Sequence, residues 1–121
     1  LDAVDPALRL LTGDLLPEIA DDWIEPFRQA RHHLRLDALE AMAEHLLSTG
    51  NPGRAARAAA VAVTVEPLRE SAHLLLMRAL VAEGNRAQAI THYDALARLL
   101  LAELGVEPSF PLSDALFPRR S

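Results

Sequence analysis

The sequence predicts an all-α fold: antiparallel helical hairpins, about two repeats with flanking helices, stacked as an α-α superhelix. Three observations predict it. Ala and Leu, both strong helix formers, supply more than a third of the 121 residues, while aromatics make up only 4%. Apolar residues recur at i, i+3, i+4 spacing in several stretches, the period of one helix face. Finally, Gly50-Asn51-Pro52-Gly53-Arg54-Ala55 is echoed 34 residues later by Gly84-Asn85-Arg86-Ala87-Gln88-Ala89.

An offset of about 34 residues is the length of a tetratricopeptide repeat (TPR), a pair of antiparallel helices. The offset also pairs Met42 with Leu76, Leu46 with Leu80, Ala59 with Tyr93 and Ala62 with Leu96. Gly50 and Gly84 suit the left-handed position just past a helix end. Asn51 and Asn85 suit the N-caps that follow, where a short side chain accepts from orphan amides. Pro52 falls at the first helical position, which Pro favours. Ala55 and Ala89 are small where the two helices of a pair must approach closely.

Taken in order, a short helix is expected over about 3–11, broken by Thr12-Gly13-Asp14, and then a helix over about 18–48 with Pro26 as a point of kinking or interruption. Its apolar stripe is Leu36, Leu39, Met42, Ala43, Leu46 and Leu47. Helices follow over about 53–65, 68–83 and 86–103. The run Ala60-Val61-Ala62-Val63-Thr64-Val65 alternates β-branched residues like a strand, but the repeat register makes it helical. In the fourth helix the stripe is Ala89, Tyr93, Leu96, Leu100 and Leu104. Gly105 caps that helix, and Pro108 forbids its continuation. A short turn of helix covers 112–116, and the last residues read as a frayed end.

Composition excludes several classes of function. Without cysteine there are no disulfides or thiolate metal sites, which fits a reducing, cytoplasmic setting. No stretch approaches the roughly 20 apolar residues that span a bilayer. All twelve basic residues are Arg, which together with the Ala content reads as translation of a GC-rich genome. The chain opens on Leu-Asp-Ala-Val-Asp, with neither Met nor a basic leader, and is expected to be part of a longer protein. The net charge of −5 makes direct binding to a phosphate backbone unfavourable, because that requires a basic face. The charge is uneven: residues 1–25 carry seven acids against Arg9, while 26–36 carry only Arg28, Arg31 and Arg35.

Catalytic patterns are missing from the sequence, which carries no P-loop, no G-x-G-x-x-G and no G-x-S-x-G. None of the five histidines pairs at i, i+4 as helical metal ligands do, and His73 and His92 read as core or interface residues. The expectation is therefore no enzyme, no cofactor and no metal. Two surfaces are candidates for partners instead. Arg28, Arg31 and Arg35 share one helix face, with His32 and His33 between them, and either meet an acidic partner or form a solvated stripe. In TPR arrays the first helices of the pairs line a groove, which here includes Asp37, Glu40, Glu44, Leu47, Ser71, Leu74 and Arg78. Its acidic and apolar character suits a peptide or helix with basic residues, while a two-repeat domain can equally fill such a groove with its own N-terminal segment. Trp23, the sole Trp, reads as a core residue, with a partner anchor as the alternative.

Several ordered segments carry a family resemblance. They are Leu15-Leu16-Pro17 to Asp21-Asp22-Trp23-Ile24, then Glu66-Pro67-Leu68-Arg69-Glu70, then His73 with Leu76-Met77-Arg78-Ala79-Leu80. The last is Glu103-Leu104-Gly105-Val106-Glu107-Pro108-Ser109. Together they resemble the bacterial transcriptional activator domain of Streptomyces antibiotic regulatory proteins (SARPs) over about residues 7–109. The resemblance implies a regulatory domain spanning residues 1–109, with 110–121 as a C-terminal tail. It implies action through protein contacts: self-association, docking of an attached winged-helix DNA-binding domain, or contact with the transcription machinery. DNA reading would lie in that winged helix, which this sequence lacks, with no direct nucleic-acid or membrane binding here. A generic TPR adaptor unconnected to transcription is the alternative. The sequence departs from the family near its end, where Phe110-Pro111 and Phe117-Pro118 rule out a long closing helix.

Overall fold

Five helices follow one another in a computed structural model, which describes the backbone of residues 17–117 and the side chains of 24–117. They are α1 (Pro17–Ser48), α2 (Pro52–Val65), α3 (Glu70–Ala82), α4 (Arg86–Leu104) and α5 (Leu112–Leu116). No strand occurs among the described residues. The expected helix at 3–11, the Trp23 side chain and the last four residues lie outside the described residues. The chain divides into two units, Leu1–Arg35 and Leu36–Ser121.

The repeat seen in the sequence is a repeat of hydrogen bonds. Gly50 and Gly84 both have positive φ, 78° and 88°, which costs a Cβ-bearing residue about 1–2 kcal/mol. At each, the following Asn amide reaches back to close the helix: Asn51 N–H to Leu46 O at 2.8 Å, and Asn85 N–H to Leu80 O at 2.8 Å. The Gly amides bond Leu47 O and Val81 O at 3.2 and 2.9 Å. Every donor and acceptor in this set is displaced by the same 34 positions.

The Asn side chains do something other than expected. Asn51 and Asn85 occupy the N-cap positions, but neither makes a side-chain cap bond. Asn51 instead gives its Nδ2 protons to the Thr49 carbonyl and hydroxyl, at 3.2 and 3.0 Å, which stiffens the turn rather than the helix start.

The helices of the second unit pack in order. Leu36 of α1 clusters with Ala62 of α2 and Ala72 of α3. One to two turns on, Ala43 clusters with Ala58, Ala59 and Leu75. As α1 advances, α2 retreats and α3 advances, so α1 and α3 run parallel with α2 antiparallel between them. The second hairpin encloses a larger cluster of Met77, Ala89, Leu96, Leu100, Phe110 and Ala115. Ala55 and Ala89, the equivalent small positions of the repeat, are both fully buried.

Three local expectations are corrected. Helix α1 runs through Pro26 without interruption. Helix α3 starts at Glu70, not near 68, because Glu66–Arg69 form a turn with Arg69 N–H on Glu66 O at 3.1 Å. Met42 and Leu104, read as stripe residues, are exposed at 53% and 55% because they lie at the edges of their faces. As the repeat register predicts, the strand-like Val61–Val65 run lies inside α2, where the Thr64 hydroxyl bonds the Ala60 carbonyl at 2.9 Å.

The chain after α4 closes the second hairpin. Phe110 stacks edge-on against Tyr93, centroids 5.7 Å apart, and its carbonyl accepts the Tyr93 hydroxyl at 2.9 Å. Ala115 of α5 is fully buried in the same cluster. The five-residue helix α5 thereby packs onto the second hairpin.

Candidate interaction site

Within the first unit, α1 spaces Arg28, Arg31 and Arg35 at i, i+3 and i+7, which turns all three to one face. With His32 they line a cleft of about 220 Å³. His33 lies beside His32, the rings edge-on with centroids 6.0 Å apart. Among the described residues this is a concentrated positive face in a chain of net negative charge.

In the second unit the parallel α1 and α3 present their outward residues along a shared face. Near its start, Arg69 in the turn before α3 reaches back to α1. Its Nη2 donates to Asp37 Oδ1 at 2.5 Å and its Nε donates to Glu40. The Ser71 hydroxyl donates to the same Glu40 carboxylate at 2.9 Å. Desolvation opposes the charge on Arg69, but the hydrogen bonds and charges of Asp37 and Glu40 outweigh it and hold its pKa above the usual value. Two of the predicted groove acids are thus engaged by a residue of the same chain. Farther along, Glu44 is exposed and Leu74 is half-buried against the Met77, Leu96 and Leu100 cluster of the second hairpin. Arg78 is half-buried, and its Nε is sealed from solvent with no hydrogen-bond acceptor.

Sequence reasoning missed Arg69 as a member of this face. Its partners lie 29 and 32 residues away, beyond any local periodicity. The one signal was its place in the Glu66-Pro67-Leu68-Arg69-Glu70 segment.

That segment and the two others at the junction meet in space. His73 is buried at 4% exposure. Its Nε2 lies 2.6 Å from the Pro67 carbonyl, which can only accept, so this nitrogen carries the proton. Its Nδ1 lies 2.8 Å from His92 Nε2, and in the neutral pair His92 is the donor. Burial, and then the neighbouring His73, lower the His92 pKa below 6.5. Glu70 Oε1 accepts the Ser109 amide at 2.6 Å. Both nitrogens of His73 are thus engaged, Nε2 with the turn and Nδ1 with His92 of α4. Burial, and then the charges of Glu107, Asp94 and Glu70, raise the Tyr93 pKa. Among the described residues no group of three or more His, Cys, Asp or Glu is placed to hold a metal. None of their helices is long and apolar enough to cross a membrane.

The stacked hairpins define an all-α, TPR-like module. The sequence model of the bacterial transcriptional activator domain matches residues 1–115. The chain is also 33% identical over 107 residues to the regulatory protein AfsR of Streptomyces coelicolor, an alignment covering 88% of this chain and 11% of that protein. To the regulatory protein AfsR of Streptomyces griseus it is 30% identical over 111 residues, 92% of this chain and 11% of the relative. No solved structure matches. The chain belongs to the bacterial transcriptional activator domain family, and within it to the domains of SARP-type regulators. It spans about a ninth of the length of the curated relatives it matches.

Proposed function

We propose that this chain is the regulatory, protein-contacting domain of a SARP-type transcriptional activator, working in the cytoplasm without catalysis of its own. DNA recognition belongs to a separate winged-helix module, whose recognition helix reads the major groove. This domain contributes by contacting that module, a second regulator molecule or the transcription machinery. The observation that carries the reading is the use of the family's own motif residues. Glu66–Glu70, His73 and Ser109 brace one another, so they hold the scaffold and leave recognition to the outward residues. The candidate contact residues, exposed or half-buried, are Arg28, Arg31 and Arg35 on one unit, and Asp37, Glu40, Glu44, Leu74 and Arg78 on the other.

The division of labour is tested by mobility shift with the isolated chain and a duplex carrying the regulator's operator at physiological salt. The expected result is no retardation at micromolar protein. Sequence-specific retardation would overturn the reading, because a contact domain has no means of reading bases.

A further inference from the structure

We propose that Arg78 on α3 is a carboxylate-binding site, and that the α1/α3 face takes an acidic side chain, set among apolar ones, from a protein partner. The proposal rests on the protein-contact reading above and names the chemistry of the partner.

The argument begins with which charges on this face already have a match. Asp37 and Glu40 both pair with Arg69, which balances one of their two charges, and Glu40 also accepts from Ser71. Glu44 is exposed, so water satisfies it at no cost. Arg78 differs from all of them. Its Nε–H touches neither solvent nor any acceptor, and the residue takes part in no ion pair or hydrogen bond. A buried donor without an acceptor is uncommon in folded proteins and calls for an explanation. At Arg78 itself a further cation from a partner would meet a like charge, whereas an anion would meet its complement.

The surroundings narrow the class of anion. One helical turn before Arg78 on its own helix lies Leu74, half-buried against the second hairpin's cluster. Leu47 of the parallel α1 is half-buried beside Leu75, the residue three before Arg78. A half-buried guanidinium one helical turn from Leu74 suits a carboxylate carried between apolar side chains better than a heavily hydrated polyanion. Arg offers Nε and one Nη as a planar fork that matches the two carboxylate oxygens. The side chain has no partner to hold it. It can therefore rotate its Nε–H outward while its solvent-reaching end makes the first contact.

The test uses the whole chain labelled with nitrogen-15 and three N-acetylated, C-amidated peptides, Ala-Leu-Ala-X-Leu-Leu-Ala-Ala, with X as Glu, Gln or Lys. The Arg78 Nε–H resonance, assigned with Arg78→Lys, should move downfield and saturate with the Glu peptide. That peptide should bind at least five-fold more tightly than the Gln form and more tightly still than the Lys form. Arg78→Met should abolish the preference, and Arg78→Lys should reduce it, because the charge remains but the fork does not. The Nε–H shift is read on the unaltered chain, so it decides the matter even if Arg78→Met fails to fold. Equal binding of the Glu and Gln peptides, or preference for the Lys form, would overturn the carboxylate assignment. That failure is separate from the failure of the broader reading, which shows as retardation of duplex DNA by the isolated chain whatever the peptides do.

Discussion

The two hairpins of the array reach the same architecture by opposite packing. The first packs α2 against its neighbours through alanines: Ala55, Ala58, Ala59 and Ala62 are all buried, with Ala43 and Ala72 facing them from α1 and α3. Leu36 and Leu75 are the large side chains buried there, and the alanines let the backbones approach closely. The second holds its helices apart with Met77, Leu96, Leu100 and Phe110, and is tied by polar contacts through His73, His92 and Tyr93. A small-residue interface fails when something is added to it. A large-residue interface fails when something is removed.

That contrast sets the mutational predictions. The largest effect falls on the second hairpin. Leu100→Ala empties a fully buried site and should cost about 2–5 kcal/mol in urea unfolding, by loss of transfer energy and creation of a cavity. In the first hairpin the damaging change runs the other way. Ala59→Leu should cost about 1–3 kcal/mol by overpacking, whereas Ala59→Gly should cost only about 1 kcal/mol, chiefly helix propensity. If Ala59→Leu proved neutral, the close-approach account of that hairpin would be wrong.

Smaller effects sharpen the polar half of the contrast. Tyr93→Phe removes the hydroxyl bond to Phe110 and should cost about 1 kcal/mol while leaving the ring contact in place. The His92 pKa is lowered on folding, so below the ordinary value of 6.5 the unfolded chain binds more protons than the folded one. Its contribution to stability is therefore complete above about pH 6.5 and is lost as pH falls from there toward the folded pKa. Urea midpoints should drop between pH 7.5 and 5, and His92→Gln should flatten that part of the profile. The smallest effect belongs to Arg69→Met, at about 1 kcal/mol or less, because Asp37 is mostly exposed and solvent screens the pair.

The same contrast explains what the sequence disclosed. Gly50 and Gly84 could be read at once, because a left-handed helix end leaves a local mark and its recurrence fixed the repeat. The alanine interface could be read for a similar reason, since Ala55 and Ala89 had to be small where helices approach. The Arg28, Arg31 and Arg35 stripe follows from helical spacing alone. The junction was opaque. Arg69 meets Asp37 and Glu40, and Glu70 meets Ser109, across separations that no helical period encodes. Phe110 stood in the sequence as half of a helix-breaking Phe-Pro pair, which hid that its ring and carbonyl close the second core. The orphaned Nε of Arg78 depends on what lies around it in three dimensions and could not be read from spacing.

The central claim is that this domain acts by contacting proteins. The most direct measurement fuses residues 1–121 to a heterologous DNA-binding domain in a Streptomyces host, with a reporter behind the matching operator. The account predicts transcription several-fold above that of the DNA-binding domain alone. It also predicts loss of that increase when Arg28, Arg31, Arg35 and Arg78 are replaced together in a fusion that still occupies the operator. A folded, operator-bound fusion that raises transcription no further than the DNA-binding domain alone would contradict it.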